Sequence, residues 1–210
     1  MYTFFQLVKK YINYYTTASN SAGHGMHSPF VFDFIKNVLN NKAHYKPPRS
    51  VENLRTELLK NGQTIQVEDF GAGSRNKSAA HRKVRTLAKN AVKPKKYGQL
   101  LYRIVKHYKP KTIVELGTSL GITTAYLAMA NLSAKVTTIE GSAEIQKIAA
   151  NNFNTLRLNN IESLTGNFDV QLPHVLAKIA TVDLAYIDGN HRLQPTLNYF
   201  DVFLAKSNNN

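Results

Sequence analysis

From residue 112 to residue 204 the chain alternates short apolar segments with amphipathic segments of helical length. The apolar segments, which predict strands, are 112–116, 135–140, 161–164 and 182–187; the amphipathic segments, which predict helices, are 121–132, 142–156, 172–179 and 195–204. Apolar strands that alternate with helices are typical of a parallel sheet covered by helices on both faces. The sequence therefore predicts an α/β fold with a doubly wound, mostly parallel sheet.

The first 96 residues have a different pattern. Apolar residues recur at helical spacing over 1–17, 30–39, 51–60 and 81–92, and a further helix is expected at 97–108. A short strand-like run from Thr64 leads into the glycine-containing segment 68–74, which fits either a ligand-contacting loop or a structural turn. We therefore expect a helical, basic N-terminal region, residues 1–96, followed by a sheet domain, residues 97–210.

The positive charge is concentrated in the first half of the chain. The sequence has 27 Lys and Arg against 13 Asp and Glu, a net charge of +14, and the stretch from Arg75 to Lys111 contains cations but no acid. Such a stretch fits a solvated helix face, whose lysine stems cover apolar surface. It also fits a surface that contacts the phosphates of a nucleic acid. Charge alone leaves both interpretations open.

Several classes of protein are excluded by composition. The chain has no cysteine, so disulfides, thiolate metal sites, iron–sulfur clusters and a cysteine nucleophile are absent. Lys9 and Lys10 interrupt the apolar start, and no long apolar window follows, so we expect a cytoplasmic protein without a membrane segment. His24 and His27 are spaced for a helical metal site but lack a neighbouring carboxylate, which favours hydrogen-bonding loop histidines and no metal.

The turn after the first predicted strand has the features of a ligand-binding turn. Ligands of doubly wound sheets bind beyond the carboxyl ends of the strands. Here Glu115 is followed by Gly117 and Gly121, and glycines at such a turn let a ligand approach the backbone. The third glycine of the Gly-x-Gly-x-x-Gly fingerprint is missing, which makes NAD the less favoured ligand. An ordinary strand-to-helix turn is the alternative.

Polar residues also follow the other three predicted strands. Glu140 ends the second strand, where an acidic side chain can accept both hydroxyls of a ribose. Asn167 and Phe168 follow the third strand and suit the edge and face of a purine. Asp188 and His191 follow the fourth strand, either as a reactive pair or as polar groups that cap the next helix.

Four segments resemble the motifs of class I S-adenosylmethionine-dependent methyltransferases. They are Val114-Glu115-Leu116-Gly117-Thr118-Ser119-Leu120-Gly121, Thr138-Ile139-Glu140, Gly166-Asn167-Phe168 and Tyr186-Ile187-Asp188-Gly189-Asn190-His191. The resemblance covers about residues 97–204 and is nearest to the subgroup with Ile-Asp-Gly-x-His, which includes relatives of small-molecule O-methyltransferases. It implies a Rossmann-like sheet and S-adenosylmethionine as cofactor. The cofactor-binding residues that it implies are Glu115, Gly117, Thr118, Ser119, Gly121, Glu140, Asn167 and Phe168.

The resemblance also implies roles for the residues after the fourth strand. Asp188 would face the cofactor's sulfonium or the substrate, because a carboxylate near a positive sulfur is electrostatically favourable. His191 would be the general base, since histidine exchanges protons near neutral pH. The expected function is methyl transfer to a small-molecule hydroxyl or amine, with the N-terminal region on the substrate side. The alternative is a non-catalytic nucleic-acid-binding module that uses residues 75–111.

The chain departs from the family at its C-terminus. A complete domain of this type has seven strands, and the predicted strands here end with the fourth, at 182–187. That strand would be an exposed edge, which a partner chain or an N-terminal segment would cover. We therefore expect either a truncated chain or an incomplete active site, with oligomerisation through the open edge as one outcome.

Overall fold

A computed structural model describes residues 3–17, 28–41, 46, 48–67 and 80–207. It divides the chain into two compact units, residues 1–46 and 47–210. His24, His27 and the segment 68–74 lie outside the described residues, so what the sequence suggests for them stays a prediction.

The first unit is helical. Helix α1 covers Phe4–Thr17, and α2 covers Pro29–Asp33 and continues as a π-helical turn over Phe34–Leu39. Ser28 caps α2, since its hydroxyl accepts a hydrogen bond from the backbone N–H of Val31, and Pro29 occupies the first turn, where a missing N–H costs nothing. The two helices predicted in this unit are therefore confirmed.

The second unit opens with a helix and a small antiparallel sheet. Its first elements are α3 (Arg49–Lys60), β1 (Thr64–Val67), β2 (Ala80–Lys83), α4 (Val84–Asn90) and α5 (Lys95–Tyr108). β2 pairs antiparallel with β1, Thr64 lying opposite Lys83 and Val67 opposite Ala80. The helix predicted from residue 81 therefore begins three residues later, because 81–83 bond to a neighbouring strand that local periodicity does not reveal. Within α4, Val84, Leu87 and Ala88 form the expected buried face.

Helices α3 and α5 are tied to the helix that follows the first parallel strand. Tyr126 is fully buried, and its hydroxyl donates a hydrogen bond to the Glu52 carboxylate. Lys95 Nζ lies 3.6 Å from the same carboxylate. A Cβ on Gly98 would lie 2.5 Å from the Tyr126 ring, so the glycine allows α5 to pack closely. These contacts explain why the compact unit begins at residue 47 rather than at the boundary expected near residue 97.

The remainder of the second unit is the predicted alternation of strands and helices. Its elements are β3 (Thr112–Leu116), α6 (Ile122–Ala130), β4 (Lys135–Glu140), α7 (Ala143–Thr155), β5 (Ile161–Thr165), α8 (Phe168–Ala177), β6 (Leu184–Ile187) and α9 (Leu193–Leu204). All neighbouring strands are parallel, in the order β5-β4-β3-β6. Ile113, Val114 and Leu116 of the central strand β3 are fully buried, as apolar side chains between two helical layers should be. The predicted α/β fold is confirmed.

β6 is an edge of this sheet. Within the part of the chain that the structure describes, β6 pairs with β3 on one side and with no strand on the other. Oligomerisation through this edge stays a prediction. Among the described helices, none is both long and apolar enough to cross a bilayer.

Candidate active site

The turn from β3 to α6 lies directly against the end of β6. Gly117 has φ +101° and donates its N–H to the carbonyl of Ile139 at 2.9 Å, which ties the turn to the end of β4. A Cβ at this position would lie 2.5 Å from the Asp188 carbonyl oxygen. Only glycine combines this φ with so close a backbone neighbour. The ends of β3, β4 and β6 therefore meet at one place.

Glu140 at the end of β4 holds two turns together. Its Oε2 accepts the Ser119 N–H at 2.8 Å, and its Oε1 accepts the Ser142 N–H at 3.0 Å. Ser142 is the N-cap residue of α7, as predicted, but its hydroxyl makes no capping bond to the helix. A carboxylate has about four acceptor positions, so it can accept hydrogen bonds from more than one group at a time. The half-buried carboxylate is thus preorganised at the rim of the sheet.

Asn167 and Phe168 begin α8 beside the end of β6. Asn167 is the N-cap, and its Oδ1 accepts the Asp169 N–H at 2.8 Å. The Phe168 ring packs edge-on against Tyr199, with ring centroids 6.1 Å apart. A Cβ on Gly189 would lie 2.5 Å from the same ring, so Gly189 leaves room for it. The ring is therefore fixed on two sides.

Asp188 follows β6 and pairs with a cation from outside the parallel sheet. Its N–H donates to the Leu116 carbonyl at 2.8 Å, and its Oδ1 lies 2.8 Å from Lys93 Nζ. The Tyr186 hydroxyl donates to its Oδ2 at 3.4 Å. Burial, followed by the nearby Asp188 charge, raises the pKa of Tyr186, which keeps the phenol protonated as a donor.

A second polar network supports the loop after Asp188. Asn190, at φ 50°, donates from Nδ2 to the Tyr199 hydroxyl at 2.9 Å, and that hydroxyl donates to Asp169 Oδ1 at 2.6 Å. Arg192 Nε donates to Asn190 Oδ1 at 2.8 Å. Burial raises the pKa of Tyr199, so its proton stays available to Asp169. His191 lies exposed between Asn190 and Arg192.

These elements enclose a cleft of about 420 Å³, within the range of small-ligand sites. Of the predicted site residues, the cleft brings together Gly117, Ser119, Glu140, Asn167, Phe168, Asp188 and His191. Val67, Arg82, Leu87, Asn90, Ala91 and Lys93 form a wall from β1, β2, α4 and the residue before Pro94. The rest of the lining is Gly141, Ile145, Gly166, Asp169, Gly189, Asn190 and Arg192.

Three predicted cofactor residues do not line this cleft. Glu115 is fully buried within the sheet, where its Oε2 accepts hydrogen bonds from the hydroxyls of Thr124 and Thr138. Burial raises its pKa to about 8. Thr118 is also buried, and its hydroxyl bonds to Thr138 at 2.6 Å. Gly121, at φ +77°, packs so closely that a Cβ would lie 2.5 Å from the Phe153 ring. In this structure these residues shape the turn rather than face the cleft.

The wall residues are what the sequence interpretation missed. The sequence predicts a basic run over these positions but no individual role for Arg82 or Lys93. Their interaction partners are distant in sequence. The local indication is the Lys93-Pro94 pair, which separates two predicted helices. A proline restricts the residue before it to extended backbone, which limits where Lys93 can lie.

Across the described residues, no group of three or more His, Cys, Asp or Glu is arranged to hold a metal ion. The cleft is lined by carboxylates, cations, backbone N–H groups, the His191 imidazole and the Phe168 ring.

A parallel sheet in the order β5-β4-β3-β6, with a cleft at its carboxyl edge and an acid ending the second strand, defines a Rossmann-like fold. Residues 114–210 match a family model described as a methyltransferase domain. This segment contains the four motifs that resemble those of class I S-adenosylmethionine-dependent methyltransferases.

Solved structures agree with this fold. An O-methyltransferase from Bacillus cereus in complex with S-adenosylhomocysteine is 20% identical, with a TM-score of 0.60 over 82% of this chain and 67% of that one. A putative O-methyltransferase from Klebsiella pneumoniae is 18% identical, with a TM-score of 0.54 over 80% and 64%. The O-methyltransferase TomG from Streptomyces achromogenes is 22% identical, with a TM-score of 0.50 over 57% and 54%. The chain thus spans about half to two thirds of these structures. No curated protein matches it significantly.

Proposed function

We propose that this protein transfers a methyl group from S-adenosylmethionine to an oxygen of a small-molecule acceptor. The observation that carries the proposal is the Glu140 carboxylate. It lies at the carboxyl end of β4 inside the cleft, with both oxygens oriented by backbone N–H groups. A ribose offers two adjacent hydroxyl donors, and a carboxylate at the end of the second parallel strand matches them.

The other cleft residues fit the rest of the cofactor. Phe168 presents an aromatic ring suited to a purine face, with Asn167 beside it. Gly117 and Ser119 expose backbone where the methionine part would lie, and Asp188 supplies negative charge near the sulfonium. S-adenosylmethionine bound there supplies an electrophilic methyl group. What this chain contributes is alignment of that group with the acceptor.

His191 is the proposed proton acceptor for a hydroxyl substrate. It lines the cleft and is exposed, so an acceptor can reach it. Among the described residues no hydrogen bond orients its ring, which leaves it free to turn toward a bound acceptor. The oxygen preference is further supported by the solved structures of similar fold, whose names describe O-methyltransferases.

Nucleic-acid binding through 75–111 stays a prediction without structural support. Within the described part of that stretch, Lys93 pairs with Asp188 and Lys95 with Glu52, and Arg103 is buried. These three cations are engaged within the protein.

Thermal unfolding with candidate ligands tests the proposal. A ligand at 100 times its dissociation constant stabilises the native state by about 2.7 kcal/mol, which raises the melting temperature by several degrees. We expect S-adenosylmethionine and S-adenosylhomocysteine to raise the melting temperature, and NAD and ATP to leave it unchanged. A rise with NAD alone would refute the cofactor assignment.

A further inference from the structure

The wall opposite the sheet edge lies outside the segment that matches the methyltransferase family. It consists of apolar Val67 and Leu87 together with the cations Arg82 and Lys93. The family match starts at residue 114, so the matched segment supplies none of these four residues. When the cofactor binds along the sheet edge, the opposite wall is the part of the cleft that remains for the acceptor.

Lys93 is the wall residue that forms an ion pair with Asp188. Its Nζ lies 2.8 Å from Asp188 Oδ1, with 38% of the Lys93 side chain and 17% of the Asp188 side chain exposed. Lys93 lies between the end of α4 and Pro94, the N-cap residue of α5. The ammonium is thus both fixed and accessible from the cleft.

This ion pair changes the charge that an acceptor meets. Asp188 alone would attract a cationic amine, but Lys93 neutralises the carboxylate and repels a second ammonium. An anionic or weakly acidic oxygen gains a charge-assisted hydrogen bond from the same ammonium. The ion pair therefore favours an anionic oxygen over an amine at this position.

We propose that Lys93 is the acceptor-binding cation of this cleft, and that the acceptor is a phenol or carboxylic acid with an apolar body rather than an amine. The body lies on Val67 and Leu87, and the reacting oxygen lies at Lys93. In the transfer, a new bond forms between this oxygen and the methyl carbon while the bond from methyl to sulfur breaks. The electron pair of that bond stays on sulfur. A carboxylate or phenolate needs no further proton transfer, and a neutral phenol gives its proton to His191 or water.

The inference rests on the proposed function, and one experiment separates the two. Calorimetry measures binding of benzoate and of benzylamine to protein saturated with S-adenosylhomocysteine. These probes share a ring and differ in charge. We expect benzoate to bind at least about tenfold more tightly than benzylamine, the ratio that 1.4 kcal/mol gives.

Three variants assign the preference to Lys93. Lys93→Met should abolish it, Lys93→Arg should retain it, and Lys95→Met should leave it unchanged because Lys95 pairs with Glu52 rather than lining the cleft. If Lys93→Met fails to fold, Lys93→Gln replaces it. The ratio of benzoate to benzylamine affinity in the wild type still tests the proposed preference for an anionic acceptor.

Two outcomes overturn the inference while the cofactor proposal stands. These are equal or reversed affinities for the two probes, and binding of neither probe to the saturated protein. A failure of S-adenosylhomocysteine to bind at all instead overturns the proposed function.

Discussion

Gly117 lies so close to Asp188 that a Cβ on the glycine would come within 2.5 Å of the aspartate's carbonyl oxygen. This contact joins the turn after β3 to the end of β6, and both lie at the cleft. The turn's backbone conformation and the position of the Asp188 carboxylate are therefore coupled.

Gly117→Ala should destabilise the protein and weaken ligand binding together. The left-handed φ of +101° alone costs about 1–3 kcal/mol for alanine, and the clash with a backbone atom adds to it. Urea unfolding measures the loss. Gly62→Ala is the matched control, since a Cβ there meets nothing within 4 Å. Equal stability of the two variants would contradict this account of the turn.

Glu115 should make the stability of the protein depend on pH. Its pKa is raised from 4.5 to about 8 by burial, so the folded state retains a proton that the unfolded chain has lost. The contribution of Glu115 to stability should therefore be fully present below pH 4.5 and should be lost as pH rises toward 8, by up to about 1.4 kcal/mol per pH unit.

Glu115→Gln should remove this contribution, because a neutral amide has no proton to lose and keeps an oxygen for Thr124 and Thr138. Denaturant unfolding of both proteins between pH 5 and pH 8 gives the comparison. A variant whose stability declines as steeply as that of the wild type would show that Glu115 does not carry the effect.

Tyr199→Phe should loosen the loop after Asp188. The hydroxyl donates to Asp169 at 2.6 Å and accepts from Asn190 at 2.9 Å, so its removal breaks one hydrogen bond to the exposed Asp169 and one to the half-buried Asn190. A loss of about 0.5–1.5 kcal/mol is expected. Hydrogen exchange of residues 189–192 should become faster. Tyr97→Phe, at an exposed ring on α5, should change neither quantity.

The sequence predicts the features that depend on residues close together in the chain. Strand and helix alternation from Thr112 predicted the sheet, and the polar residues after each strand, such as Glu140 and Asp188, met at one edge as parallel strands require. Ser119 also lines the cleft, where its N–H is bonded to Glu140.

The remaining features depend on long-range contacts. The strand at 80–83 is polar and is formed by pairing with β1, which helical periodicity from residue 81 concealed. The proposed role of Lys93 depends on its ion pair with Asp188, which lies 95 positions later in the sequence. Glu115 has the residue type of a ligand contact, but its side chain is enclosed by α6 and β4 through Thr124 and Thr138.

The central claim is that Glu140 binds the ribose of S-adenosylmethionine, and calorimetric titration with S-adenosylhomocysteine tests it most directly. Loss of a charged acceptor for hydroxyl donors costs about 1.5–3 kcal/mol, so Glu140→Gln should bind at least about tenfold more weakly than the wild type. Glu144→Gln should bind as the wild type does, because Glu144 pairs with Lys147 away from the cleft. Unchanged affinity in Glu140→Gln, or no binding to the wild type, would contradict the account.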